Sequence, residues 1–155
     1  MPKNDQQKNQ PAVADALNAL LADSFALYLK TKNYHWHVVG PQFRSLHLLF
    51  DEQAAAILAT TDLIAERVRK NGAVTLRSIG DIGRHQSIKD DDAAGVDAET
   101  MVRTLAADNE TLLARLKEAK EAAEADGDIA TSGLVDGWAD ETQQRIWFLK
   151  ASLAG

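Results

Sequence analysis

The sequence predicts an all-α fold, a four-helix bundle with one long crossover between its second and third helices. Three observations lead there. Helix-breaking residues are concentrated in a few places: Pro2 and Pro11, Gly40-Pro41, a stretch from Gly72 to Gly95, and Asp126-Gly127-Asp128. The segments between them carry apolar residues three and four apart, the spacing of one helix face. Two of the three joins are short and the middle one is long.

The first helix starts at about Pro11, a residue acceptable in a first helical turn, and stripes Leu17, Leu20, Leu21, Phe25 and Tyr28 along one side. His35 continues that stripe. The second, from about Phe43 to Lys70, places Leu46, Phe50, Ala54, Ile57, Ile64 and Val68 on one face. The third opens at Asp97, a good N-cap, and stripes Val102, Leu105, Leu112, Leu116 and Ala119. The fourth runs from about Ile129 with Val135, Trp138, Ile146, Leu149 and Leu153. Short turns make helices one and two antiparallel, and likewise three and four. From Asn71 to Val96 the chain, at roughly 3.3 Å per extended residue, can run the length of the bundle and join two parallel helices. A short outer helix fits within Thr75 to Ile82, and Lys89-Asp90-Asp91-Asp92 reads as solvated loop.

A chain of 155 residues is the size of one domain: a flexible tail over residues 1–10 and the helical domain over 11–155. There is no cysteine, so any metal must be held by His, Asp, Glu or backbone oxygen. The N-terminus has no apolar run behind its lysines, and no segment reaches the roughly 20 apolar residues that span a bilayer, so a soluble, cytoplasmic protein without a membrane partner is expected. A net charge of -6 disfavours nucleic acid and anionic membrane and favours cations at a locally acidic site.

The stretch from Tyr34 to Arg67 carries the chemistry. It holds five potential metal ligands, His35, His47, Asp51, Asp62 and Glu66, of which the last four form two i,i+4 pairs on the second helix. Residues four apart project from one face a turn apart, so each pair can act as a clamp. Asp51 and Asp62 are eleven residues apart, about 16 Å at 1.5 Å per residue, too far for one site or for two ions about 3.5–4 Å apart. The clamps therefore belong to different sites or different chains. If two copies of the second helix pack antiparallel about a two-fold axis near residues 56–57, the His47/Asp51 clamp of one faces the Asp62/Glu66 clamp of the other. Ala54-Ala55-Ala56, beside that axis, would let the backbones approach, and the short turn folds His35 back towards His47.

The spacing of His35, His47, Asp51, Asp62 and Glu66, in a frame from YHWH to AER, resembles the Dps family, the mini-ferritins. All five ligand positions match, and the resemblance covers nearly the whole chain. It implies a ferritin-like bundle, a di-iron or mono-iron ferroxidase centre at a two-fold subunit interface, and a homo-oligomer, a dodecameric hollow shell. The implied substrates are Fe(II), stored as Fe(III), and hydrogen peroxide. Mixed imidazole and carboxylate ligands suit Fe(II). An intrasubunit ferritin site would use a Glu-x-x-His pair, and no Glu here is followed by His three residues on. The expected activity is that of a ferroxidase and iron store protecting against oxidative stress. The alternative is a structural protein that compacts DNA, with iron oxidation secondary.

The remaining candidates carry less. His37 points to another helical face than His35, and His85 reads as a loop histidine. Trp36 is an electron donor or an interface aromatic, Trp138 belongs to the core stripe, and Trp147, on the opposite face, reads as buried against another subunit. Glu121, Glu124, Asp126 and Asp128 either line a cation pore or form a solvated helix end, with Lys117/Glu121 and Lys120/Glu124 spaced as ion pairs. For DNA the tail offers only Lys3 and Lys8, with Asp5 between them, so DNA binding is expected to be weak or absent.

Overall fold

The computed structural model describes residues 11–153. Their regular structure is five helices: α1 (Ala12–His37), α2 (Phe43–Lys70), α3 (Ile79–His85), α4 (Ala98–Asp126) and α5 (Ile129–Ala151). The four long ones form the expected bundle, and α3 is the short outer helix, set a few residues later than the sequence places it. The expected tail, with Lys3 and Lys8, lies outside the described residues.

The local chemistry explains the boundaries. Asp97 caps α4 by accepting from the Thr100 N–H, and Asp128 caps α5 by accepting from the Thr131 N–H. Between those helices Gly127 takes a left-handed φ of 70°, and the Asp128 N–H returns to the Ala123 carbonyl, which closes α4 and reverses the chain. Asp128 is thus committed to a cap and to the Asn71 amide, which speaks against its place in a pore. Lys120 pairs with Glu124 and Asp136, whereas Lys117 and Glu121 form no ion pair among the described residues.

α1 packs against both α2 and α4, and α4 against α5, so α1 joins two helical hairpins through the core. Leu17, Leu20, Leu27, Phe50, Ile57, Ile64, Leu105, Leu116 and Leu149 are fully buried there. Burying each such side chain stabilises by roughly 1.5–3 kcal/mol. The buried Arg145 gathers the other elements: it donates to the Asn109 amide oxygen of α4 and to the Thr142 hydroxyl, and its carbonyl accepts from Gln53 of α2. Burial lowers its pKa to about 10.

Four expectations need correction. α1 is long and apolar enough to cross a membrane, contrary to the reading that no segment is; 61% of its apolar window is buried inside the bundle, the environment of a core helix. Ala54 points into its own core and leaves only Ala55 and Ala56 exposed. His85 ends α3 instead of lying in loop. Finally, the Lys89 to Asp92 stretch is not merely solvated, because Lys30 donates to the Lys89 carbonyl and the Tyr34 hydroxyl to the Asp91 carboxylate.

Those last bonds belong to a ladder. Asn18 holds Val74 and Thr75; the buried Asp23 accepts from the Ser87 N–H and hydroxyl and from the Ile88 N–H; Lys30 holds Lys89; Asn33 and Tyr34 hold Asp91. Partners advance together along both segments, so the crossover runs parallel to α1 and returns the chain to the end where α2 began. The bonds satisfy backbone groups that an irregular segment laid over the bundle would otherwise leave unpaired.

Candidate metal centre

The short Val38 to Gln42 turn brings the end of α1 against the start of α2. There the His35 and His47 rings stack, centroids 3.9 Å apart and planes at 14°, with Phe43 stacked on the outer side of His47 at 4.9 Å. The two histidines hold each other by reciprocal main-chain bonds: His35 Nδ1 lies 2.6 Å from the His47 carbonyl oxygen and His47 Nδ1 lies 2.7 Å from the His35 carbonyl oxygen. A carbonyl only accepts, so both Nδ1 atoms carry the proton, and in the neutral rings both Nε2 lone pairs are free. Fixing a tautomer through Nδ1 is the arrangement metal-ligating histidines use.

Asp51, one turn beyond His47, faces one of these rings. Its Oδ1 lies 3.7 Å from His35 Nε2. With metal–ligand bonds near 2.1 Å, two ligands on one ion are that far apart at an angle of about 120°. Asp51 is 52% exposed and pairs with Lys32, whose Nζ lies 2.8 Å from Oδ1. The hydrogen bond from the Lys32 ammonium, reinforced by its charge, holds the Asp51 carboxyl below the usual carboxylate range, and the two histidines contribute in the same direction. Lys32 is a residue the sequence reading passed over. Its signal was available: it sits three residues before His35, so the two share a helix face.

Asp62 and Glu66 do not join this cluster. They stand exposed further along α2, Asp62 at the edge of a hollow of about 320 Å³ lined by Phe25, Ala65, Leu76 and Ile82. Among the described residues, no three His, Asp or Glu side chains of one chain form a group that could hold a metal ion. One face of α2 is nonetheless open from end to end, carrying Asp51, Ala55, Leu58, Ala59, Asp62 and Glu66, with small or apolar residues between the two acidic ends.

The remaining candidates behave diversely. His37 is exposed and bonds back to Asn33, as its different helical face requires. Trp138 is in the core, whereas Trp36 and Trp147 are 57% and 66% exposed. Trp147 packs edge-on against Phe148.

Comparison with known proteins agrees with this architecture. The ferritin-like domain family matches residues 14–154. "DNA protection during starvation protein 2" of Bacillus anthracis is 36% identical over 141 residues, covering 91% of this chain and 96% of that protein. The crystal structure of a Dps protein from Bacillus brevis superposes with a TM-score of 0.88 at 32% identity, covering 99% of this chain and 100% of that one. The Vibrio cholerae O1 Dps structure, described as a member of a broad superfamily of ferritin-like diiron-carboxylate proteins, superposes with a TM-score of 0.86 at 30% identity over 92% of this chain and 89% of that one. With its long-crossover bundle and its match to these proteins over nearly its full length, the chain belongs to the Dps family of ferritin-like proteins.

Proposed function

We propose that the protein is a ferroxidase and iron-storage subunit whose metal sites are completed by a second copy of itself. One observation carries the reading: His35 and His47 stack with both Nε2 atoms free and His35 Nε2 faces Asp51, while Asp62 stands about 16 Å and Glu66 about 22 Å from Asp51 along the same open face of α2. Two α2 helices packed antiparallel through Ala55, Leu58 and Ala59 bring the first half of one chain against the second half of the other. Each pair of copies then has two identical sites, with His35, His47 and Asp51 from one chain and Asp62 and Glu66 from its neighbour, each holding one or two ferrous ions. The match to Dps proteins supports a dodecameric shell around a ferric store, working in the cytoplasm.

The reaction is the oxidation of substrate iron. Two Fe(II) give one electron each to hydrogen peroxide, whose O–O bond breaks with uptake of two protons to yield two waters and two Fe(III). Three carboxylates per site offset most of the charge of two ferrous ions. Consuming peroxide and iron together withholds both from radical-forming chemistry, which is the protective role. With a net charge of -6 per chain the assembled particle repels phosphate, so DNA binding is weak or absent.

The test measures peroxide-driven Fe(II) oxidation by the assembled protein under anaerobic conditions, with and without Zn(II), alongside particle mass. Zn(II) takes the same ligands and has no redox chemistry, so stoichiometric Zn(II) stops the reaction. A monomeric particle, or oxidation no faster than in buffer, refutes the proposal.

A further inference from the structure

The ion pair at the rim of the histidine cluster has a property that metal binding alone does not explain. Lys32 Nζ contacts Asp51 Oδ1 at 2.8 Å, and His35 Nε2 faces that same oxygen at 3.7 Å. A divalent ion held between His35 and Asp51 would sit within a few ångströms of the ammonium, and two cations that close on one half-exposed carboxylate repel each other. Lys32 also lies 5.9 Å from the centroid of the Trp36 ring, within reach of a cation–π contact. Lys32 and Trp36 are four residues apart on α1, so the flexible lysine stem can leave Asp51 and stay over Trp36 without any backbone movement.

We propose that Lys32 is a resident competitor for the metal site: its ammonium is shared between Asp51 and the face of Trp36 until a divalent cation takes Asp51 and leaves it to the ring alone. The inference rests on the reading of His35, His47 and Asp51 as metal ligands. Two consequences follow from its chemistry. While the site is free of metal, the ammonium offsets the charge of Asp51. A monovalent cation cannot displace the ammonium, since it gains nothing from the imidazoles, whereas a divalent ion gains both the nitrogen ligands and the second charge. Lys32 thus raises the metal concentration at which the site fills, and Trp36 registers the exchange because the ammonium over its ring loses its carboxylate partner.

The probe is Zn(II), which reports occupancy without turnover. Zn(II) is titrated by calorimetry into the full-length assembled protein and into Lys32→Met, with tryptophan fluorescence followed in parallel and Trp36→Phe used to assign the signal against Trp138 and Trp147. Removing one charge from the edge of a half-exposed site is expected to tighten Zn(II) binding on the order of tenfold. The fluorescence change seen on Zn(II) addition to the wild type should be lost in both variants. Unchanged affinity in Lys32→Met overturns the proposal, as does a Trp36 signal that persists without the lysine. Weaker binding overturns it as well, by making Lys32 a residue that positions Asp51. Absence of Zn(II) binding in either protein refutes the site itself and the competition with it, while Zn(II) binding that ignores Lys32 leaves the site standing.

Discussion

Co-assembly of two damaged chains tests the shared-site geometry most directly. His47→Ala removes a ligand from the histidine half, and Asp62→Ala removes one from the half about 16 Å along α2. Each variant alone should assemble, since both side chains are outside the core, and each should be inactive, because every shared site lacks one ligand. In a mixture, a site that draws His47 from the Asp62→Ala chain and Asp62 from the His47→Ala chain has all its ligands. At equal amounts and random mixing each half is intact with probability about one half, so about one quarter of the sites recover. The readout is the initial Fe(II) oxidation rate of co-refolded particles against both parents, with equal mass confirmed first. A rate indistinguishable from the parents in well-mixed particles refutes the two-fold site, since a site within one chain can recover nothing by mixing.

Three further outcomes are expected. Ala55→Phe places a bulky ring where two α2 helices would approach, so particle mass and oxidation rate should fall together; a variant that oxidises iron as an isolated subunit would contradict the shared site. Asp23→Ala strips the carboxylate that accepts from the Ser87 N–H and hydroxyl and from the Ile88 N–H, and should cost about 3 kcal/mol of stability in chemical denaturation; a loss under about 0.5 kcal/mol would show that the crossover does not depend on it. Asp97 and Asp91 are held below the usual carboxylate range, Asp97 chiefly by the Thr100 N–H and Asp91 chiefly by the Tyr34 hydroxyl. A folded-state pKa below the unfolded value means stability present above about pH 4 and lost as pH falls through the lower folded value. The melting temperature should therefore drop below about pH 4, and Asp97→Ala should differ from wild type at pH 7 more than at pH 2.

Much of this was legible because helices advertise themselves locally. The stripes of Leu17, Leu20 and Leu21, of Leu46, Phe50 and Ile57, and of Leu105, Leu112 and Leu116 are all buried where the spacing placed them. Asp97, read as an N-cap, starts α4, whereas Asp128, read only as part of a breaker and of an acidic set, turns out to cap α5. The same periodicity puts His47 and Asp51 a turn apart on α2, and the short turn folds His35 back onto them, so its contacts with His47 and with Asp51 are readable from the sequence. What stayed hidden involves partners distant in sequence. Asn18, Asp23 and Lys30 are polar residues on a core helix, and nothing near them in the chain says that they face a crossover 56 to 65 residues away. The reciprocal histidine bonds to carbonyl oxygens were equally invisible, because a main-chain acceptor leaves no mark in the residue pattern. Ala54 entered two readings, the core stripe with Phe50 and Ile57 and the alanine run beside the two-fold axis, and its burial bears out the first alone, because three consecutive alanines carry no periodic signal of their own.

The ladder between α1 and the crossover also shapes how the chain folds. The two helical hairpins close through short turns, whereas the ladder joins residues separated by more than fifty positions and incurs a larger loop-closure entropy. The hairpins therefore close first and the ladder next, ahead of the α1–α4 contact, where the Lys30–Asp108 pair spans 78 positions. Asp23, Lys30 and Tyr34 thus act as a splint that lays the crossover along α1 and delivers α4 to its place in the bundle.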